Sequence, residues 1–230
     1  MIEFIFMLTN HDKTVKDAVR VYEQTRGTGL RYVGFKDIGA TPEVLAEVTR
    51  AAHADGIEVM LEVVSTSAED EMRSLQAASE IGVDWVLGGT HAEVGVGILK
   101  GSPVRYCPFP GQVTGHPSVL GGSIDEIADH ARRLTELEGV HGIDVLAYRH
   151  HSVDPVALTR AVVAASSGPV IVAGAIIGAE QIHDVAAAGA WGFTIGGAIF
   201  DGQLPGAPSV AEQIREVLAA SVAASDGDLR

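Results

Sequence analysis

The sequence predicts a closed (β/α)₈ barrel. Eight short apolar, β-type runs recur along 230 residues, helical segments separate them, and no linker divides the chain. Strands that alternate with helices pair in parallel, because each return to the same sheet needs a crossover. An open doubly wound sheet more often has fewer strands and a glycine fingerprint after the first strand, where this chain reads LTNHD.

The runs are IEFIFML (2–8), RYVGFK (31–36), IEVMLEVV (57–64), DWVLGG (84–89), VRYCPF (104–109), IDVLAY (143–148), PVIVAG (169–174) and WGFTIG (191–196). After the second run, TPEVLAEVTRAAHADG has Thr41 to cap, Pro42 for the first turn and Gly56 to stop the helix. SAEDEMRSLQAASEIG repeats that pattern, with Ser67 as cap, acids in the first turn and Gly82 at the stop. The segment THAEVGVGILKGSP is short and glycine-rich, which predicts a poor helix. PGQVTGHPSVLGGS has no helical pattern and reads as a binding loop or lid. One barrel over 1–222 and a frayed tail over 223–230 complete the expected organisation.

Composition narrows the function. A formal charge of −14 with no basic stripe argues against a nucleic-acid partner. No apolar run is long enough to span a bilayer, and MIEFIFMLTNHD has neither a basic start nor a cleavage site, so the expected location is cytoplasmic. Cys107 is the sole cysteine, which excludes an internal disulfide or a thiolate metal cluster. With 47% apolar but only 5% aromatic residues, the interior is expected to consist of Ala, Val, Ile and Leu rather than stacked rings. Self-association through helices or loop-rich faces is compatible with such a barrel.

Functional residues are sought at the C-terminal ends of the strands, where barrels carry their active sites. Gly174 and Ala175 close the seventh run; Gly196 and Gly197 close the eighth, 22 residues later, just before a short Ala198-Ile199-Phe200 helix. Glycines admit a close backbone approach, so amides and a helix N-terminus can bind an anion with little positive charge. PVIVAGAI and GFTIGGAIF resemble the two terminal phosphate loops of the phosphate-binding barrel superfamily, which includes ribulose-phosphate epimerase, the histidine and tryptophan biosynthesis barrels and N-acetylmannosamine-6-phosphate epimerase. The resemblance covers about the last quarter of the chain and implies the barrel fold and a phosphate group at Gly174, Ala175, Gly196 and Gly197. Ala175 stands where many of those proteins have a second glycine.

Lys36 ends the second run and Glu62 lies near the end of the third. A lysine and a carboxylate in apolar strands are costly to bury unless paired, and adjacent parallel strands bring them within reach. Such a pair can polarise a carbonyl and take a proton beside it, or serve as a salt bridge closing the barrel mouth. Alternation points Asp37 the other way, towards a capping or loop role. His91, after the fourth run, is a candidate acid or a cap for the weak helix. Tyr148, Arg149 and His150 follow the sixth run as candidate substrate-binding groups, with His151 beside them. No HxH, HExxH or aspartate cluster supports a metal, although His11 and Asp12 after the first strand are available as helpers; no metal and no other cofactor is expected.

The sequence thus predicts an isomerase or epimerase that moves a proton next to the carbonyl of a small phosphorylated sugar or related metabolite. A carbon–carbon lyase using Lys36 as a Schiff base is the runner-up, weakened because class I aldolase barrels commonly carry that lysine on strand 6. A non-catalytic sensor of a phosphorylated metabolite is the alternative from another class.

Overall fold

In the computed structural model, which describes residues 1–65, 67–206 and 209–226, eight parallel strands form one sheet. They are β1 (Glu3–Met7), β2 (Tyr32–Lys36), β3 (Glu58–Val63), β4 (Trp85–Gly88), β5 (Arg105–Cys107), β6 (Ile143–Val145), β7 (Val170–Val172) and β8 (Gly192–Ile195). The ladder order β6-β7-β8-β1-β2-β3-β4-β5 leaves β5 and β6 at its two ends. Backbone bonds cross that seam: His141 donates to the Tyr106 carbonyl at 2.8 Å and Asp144 to the Pro108 carbonyl at 3.2 Å. The barrel is therefore nearly closed.

Around it run α1 (Ala18–Glu23), α2 (Pro42–Ala54), α3 (Ala68–Ile81), α4 (Ala92–Leu99), α5 (Ile124–Thr135), α6 (Pro155–Ala165), α7 (Ala179–Ala187), the short α8 (Gly197–Phe200) and α9 (Val210–Asp226). The sequence signals for α2 and α3 hold: Pro42 occupies the first turn, the Ser67 side chain accepts from the Asp70 amide, and Gly82 ends α3 in the left-handed region. The glycine-rich segment after β4 does form only an 8-residue helix. Residues 223–226, placed in the tail by the sequence, continue α9, and Ser225 accepts a hydrogen bond from the Ile2 amide; residues 227–230 lie outside the described residues.

Alternation divides the buried residues into two layers. Val33, Phe35, Val59, Leu61, Val63, Val145 and Val172 pack outward beneath the helices, whereas Ile5, Met7, Met60, Leu87, Cys107 and Ile171 fill the barrel. Aromatic rings are more central than composition suggests. Phe4 stacks on Phe193 and Phe6 on Phe200, while Tyr32, Trp85 and Trp191 plug the N-terminal end of the barrel. A small number of rings suffices because each buries a large area at a single point. With that end filled, the C-terminal mouth is left open.

Candidate functional site

The mouth holds a cavity of ≈ 680 Å³. Its floor begins with the register of β2 on β3, which places Lys36 opposite Glu62. The Lys36 ammonium lies 3.8 Å from the Glu62 carboxylate, and both side chains are 5% exposed. Strand geometry thus brings together the pair that the sequence singles out.

A third residue completes the floor. After β1 the chain makes a two-residue hairpin, Thr9–Asn10 against Lys13–Thr14, whose tip residues His11 and Asp12 have φ of 47° and 64°. Two successive left-handed residues define the tight turn that suits a hairpin's twist, and Asn, Asp and His tolerate that region better than most. Thr14 fastens the hairpin to β2, its hydroxyl donating to the Lys36 carbonyl and accepting from the Lys36 amide, each at 2.8 Å. Asp12 is thereby held over the mouth. Its carboxylate takes a hydrogen bond from the Lys36 ammonium and two from the Arg149 guanidinium, at 2.8 and 2.9 Å. Burial alone would raise the Asp12 pKa, but the Arg149 hydrogen bonds and the Lys36 charge outweigh it and hold this carboxyl well below the usual range.

Arg149 comes from a 3₁₀ turn, Ala147–Arg149, where the sequence predicts strand to residue 148. That turn sends Tyr148 and Arg149 to the cavity wall, whereas His150 faces away from the cavity. The His150 Nδ1 accepts from the Ser152 and Val153 amides, so its Nε2 carries the proton and donates to the Gly122 carbonyl at 2.8 Å. This bond fastens the turn to a second hairpin, Gln112–Thr114 with Val119–Gly121, formed by the segment without helical pattern. Pro117, Ser118 and Val119 of that hairpin line the cavity, as does His151.

The two glycine loops line the same cavity. Gly174 has φ 78° and Ala175 φ 59°; the Gly174 amide donates to the Thr194 hydroxyl at 3.3 Å. A Cβ on Gly174 would lie 2.2 Å from the Arg149 Nε, so the guanidinium packs against bare backbone. Gly196 is the cap residue of α8, and a Cβ there would meet the Thr9 hydroxyl at 2.5 Å and the Thr9 carbonyl at 2.7 Å. Gly197 differs, with its nearest neighbour at 3.7 Å. The Gly197 and Ala198 amides, in the first turn of α8, have no intrahelical acceptor. All four predicted residues Gly174, Ala175, Gly196 and Gly197 line the same cavity as Lys36 and Glu62, together with Asp201.

His91 stands elsewhere. It is the cap residue of α4, where its Nδ1 lies 2.8 Å and its amide 2.9 Å from the buried carboxylate of Glu71, and it lines a separate surface groove with His130 and Arg133. Asp37 has the loop role that alternation predicts, accepting from the Val64 amide at 3.1 Å and the Ser74 hydroxyl at 2.7 Å. Sequence reasoning weighed Asp12 only as a metal helper and passed over Thr194 and Asp144. Among the described residues, no group of three or more His, Cys, Asp or Glu is placed to hold a metal ion.

No protein-family model matches the chain, and no curated protein matches it in sequence. Solved structures do match in fold. Among them are 3-hexulose-6-phosphate synthase from Salmonella typhimurium, with a TM-score of 0.70 at 13% identity over 97% of this chain and 100% of that one. Thiamine phosphate pyrophosphorylase from Pyrococcus furiosus gives 0.66 at 15% identity, over 97% of this chain and 96% of that one. Phosphoribosylanthranilate isomerase from Thermotoga maritima gives 0.64 at 12% identity, over 97% of this chain and 100% of that one. These likenesses establish the fold, an α/β barrel. No helix among the described residues is long and apolar enough to cross a membrane.

Proposed function

We propose that the protein is an enzyme that moves a proton next to the carbonyl of a small phosphorylated metabolite, as an isomerase or epimerase. The observation that carries this reading is the Lys36–Glu62 pair, 3.8 Å apart in the floor of a cavity that the Gly174–Ala175 and Gly196–Gly197 loops also line. The loops take the phosphate through backbone amides. That suits this cavity, because Lys36 and Arg149 are both engaged by Asp12. A volume of ≈ 680 Å³ suits a small metabolite. Phosphate binding then positions the reacting carbon, Lys36 stabilises the oxygen on which negative charge develops, and Glu62 takes the proton. Arg149 and Tyr148 contact the rest of the substrate. We place the protein in the cytoplasm, in keeping with its single, buried thiol.

The test is proton NMR in D₂O with ribulose 5-phosphate, dihydroxyacetone phosphate and a small panel of related esters. Solvent deuterium entering the carbon beside the carbonyl is the expected result. A Lys36 adduct trapped by borohydride would make the protein a lyase, and saturable binding without exchange or adduct would make it a sensor.

A further inference from the structure

Asp144 is the one ionisable residue of β6, and alternation turns it inward: Ile143 and Val145 join the layer beneath the helices, while Asp144 is in register with Ile171 of the barrel interior. It is 0% exposed, and neither carboxyl oxygen has a partner among the described residues. The register carries the level of Glu62 to Leu87 on β4 and Cys107 on β5, and the Asp144 amide bonds to the Pro108 carbonyl across the seam, so Asp144 shares with Glu62 an interior in which the carboxylates of Asp12 and Glu62 already face the cations Lys36 and Arg149. An ionised carboxylate with no partner is among the costliest groups to bury, and a fold avoids that cost by keeping the acid protonated.

We propose that Asp144 is a neutral carboxylic acid and a positioning residue for Glu62: by staying uncharged it leaves Glu62 as the ionised carboxylate inside the barrel, the form in which Glu62 takes a proton. Were Asp144 ionised, a second like charge in the interior would raise the proton affinity of Glu62 and remove it from the base form. Burial first, and then the charge of Glu62, push the Asp144 pKa well above the usual carboxylate range, against the opposing pull of Lys36 and Arg149. The remaining ionisable neighbour, Cys107 on β5, is itself pushed up by burial, and so stays a thiol. The role rests on reading Glu62 as the base.

Carboxyl-carbon NMR of the whole protein, labelled at Asp and Glu and titrated between pH 4 and 9, tests it without ligand or turnover, so a failure of the phosphate reading leaves the result intact. The Asp144 signal is expected to stay in the protonated position well above the ordinary carboxylate range, and Glu62→Gln should lower the Asp144 midpoint by about one unit or more. Asp144 titrating near its ordinary value of about 4, unmoved by Glu62→Gln, overturns the proposal. Asp144→Asn supplies a second reading should Glu62→Gln not fold. Exchanging one neutral group for another leaves the Glu62 midpoint in place, whereas a fall of about one unit shows that Asp144 was ionised. The same variant should match the wild type in urea at pH 4 and exceed it at pH 8, because a carboxyl whose pKa is raised by folding opposes the folded state only above its unfolded pKa. An Asp144→Asn protein that is weaker at pH 8, or does not fold, overturns the proposal.

Discussion

Glu71 and Glu62 are both buried carboxylates, and their surroundings differ. Glu71, 1% exposed at its side chain, accepts from the Thr90 and His91 amides at 3.0 and 2.9 Å and lies 2.8 Å from the His91 ring. Glu62, 5% exposed, has among the described residues the Lys36 ammonium at 3.8 Å as its only ion-pair partner and accepts no side-chain hydrogen bond. Glu71 is saturated: it holds the loop after β4 and the start of α4, and its oxygens are committed to that task. Glu62 keeps lone pairs free towards a cavity. On the proposed reading similar burial serves architecture in one place and chemistry in the other, and the number of hydrogen bonds already made separates the two.

The sharpest way to break this comparison is to neutralise each acid. Glu62→Gln should slow carbon–deuterium exchange by about 10²- to 10⁴-fold while urea denaturation shows a folded protein. Glu71→Ala should do the reverse. It strands two backbone amides and an imidazole and costs about 3 kcal/mol in urea, with exchange retained in the folded fraction. If Glu62→Gln were instead the unfolding variant and kept its rate, the salt-bridge reading of Lys36 and Glu62 would stand.

The glycine loops sharpen the same division. Gly174→Ala places a Cβ 2.2 Å from the Arg149 Nε at a φ of 78°, so stability and binding should fall together, by about 1–3 kcal/mol in a thermal melt. Gly197→Ala meets nothing closer than 3.7 Å in the first turn of α8. It should leave the melting temperature unchanged or higher and weaken phosphate-ester affinity in calorimetry by several-fold, about 1 kcal/mol. A Gly197→Ala protein that binds phosphate esters like the wild type would move the anion elsewhere.

Acid stability reads Asp12. Its pKa is depressed in the folded state, so its contribution is present above the unfolded value of about 4 and is lost as pH falls below that towards the lower folded value. Urea midpoints between pH 2 and 5 should fall steeply for the wild type and less steeply for Asp12→Asn. The smallest effect belongs to His91→Ala, expected to cost about 1 kcal/mol through the Glu71 contact and to leave ligand binding at the cavity unchanged.

Much of this was legible in the residues. Periodicity and caps located the eight strands and the ends of α2 and α3, and a lysine and a glutamate inside apolar strands were costly enough to stand out. Asp12 was hidden because its position depends on two left-handed residues in a hairpin, which local pattern does not announce beyond the letters Asn-His-Asp. Arg149 was found, but the 3₁₀ turn that aims it was taken for strand, since IDVLAY is apolar whether or not it bends. Asp144 carried the same signal as Glu62, an acid inside an apolar run, and was missed because β6 is only three residues long and its inward face shows a single side chain.

The account stands or falls on where an anion binds in this barrel, and amide-resolved NMR during titration with inorganic phosphate measures that directly. Saturable shifts concentrated at Gly174, Ala175, Gly196, Gly197 and Ala198, with smaller ones at Lys36 and Arg149, are the predicted result. Shifts centred instead on Thr90, His91 and the start of α4, or no saturable shift at the glycine loops, would contradict it.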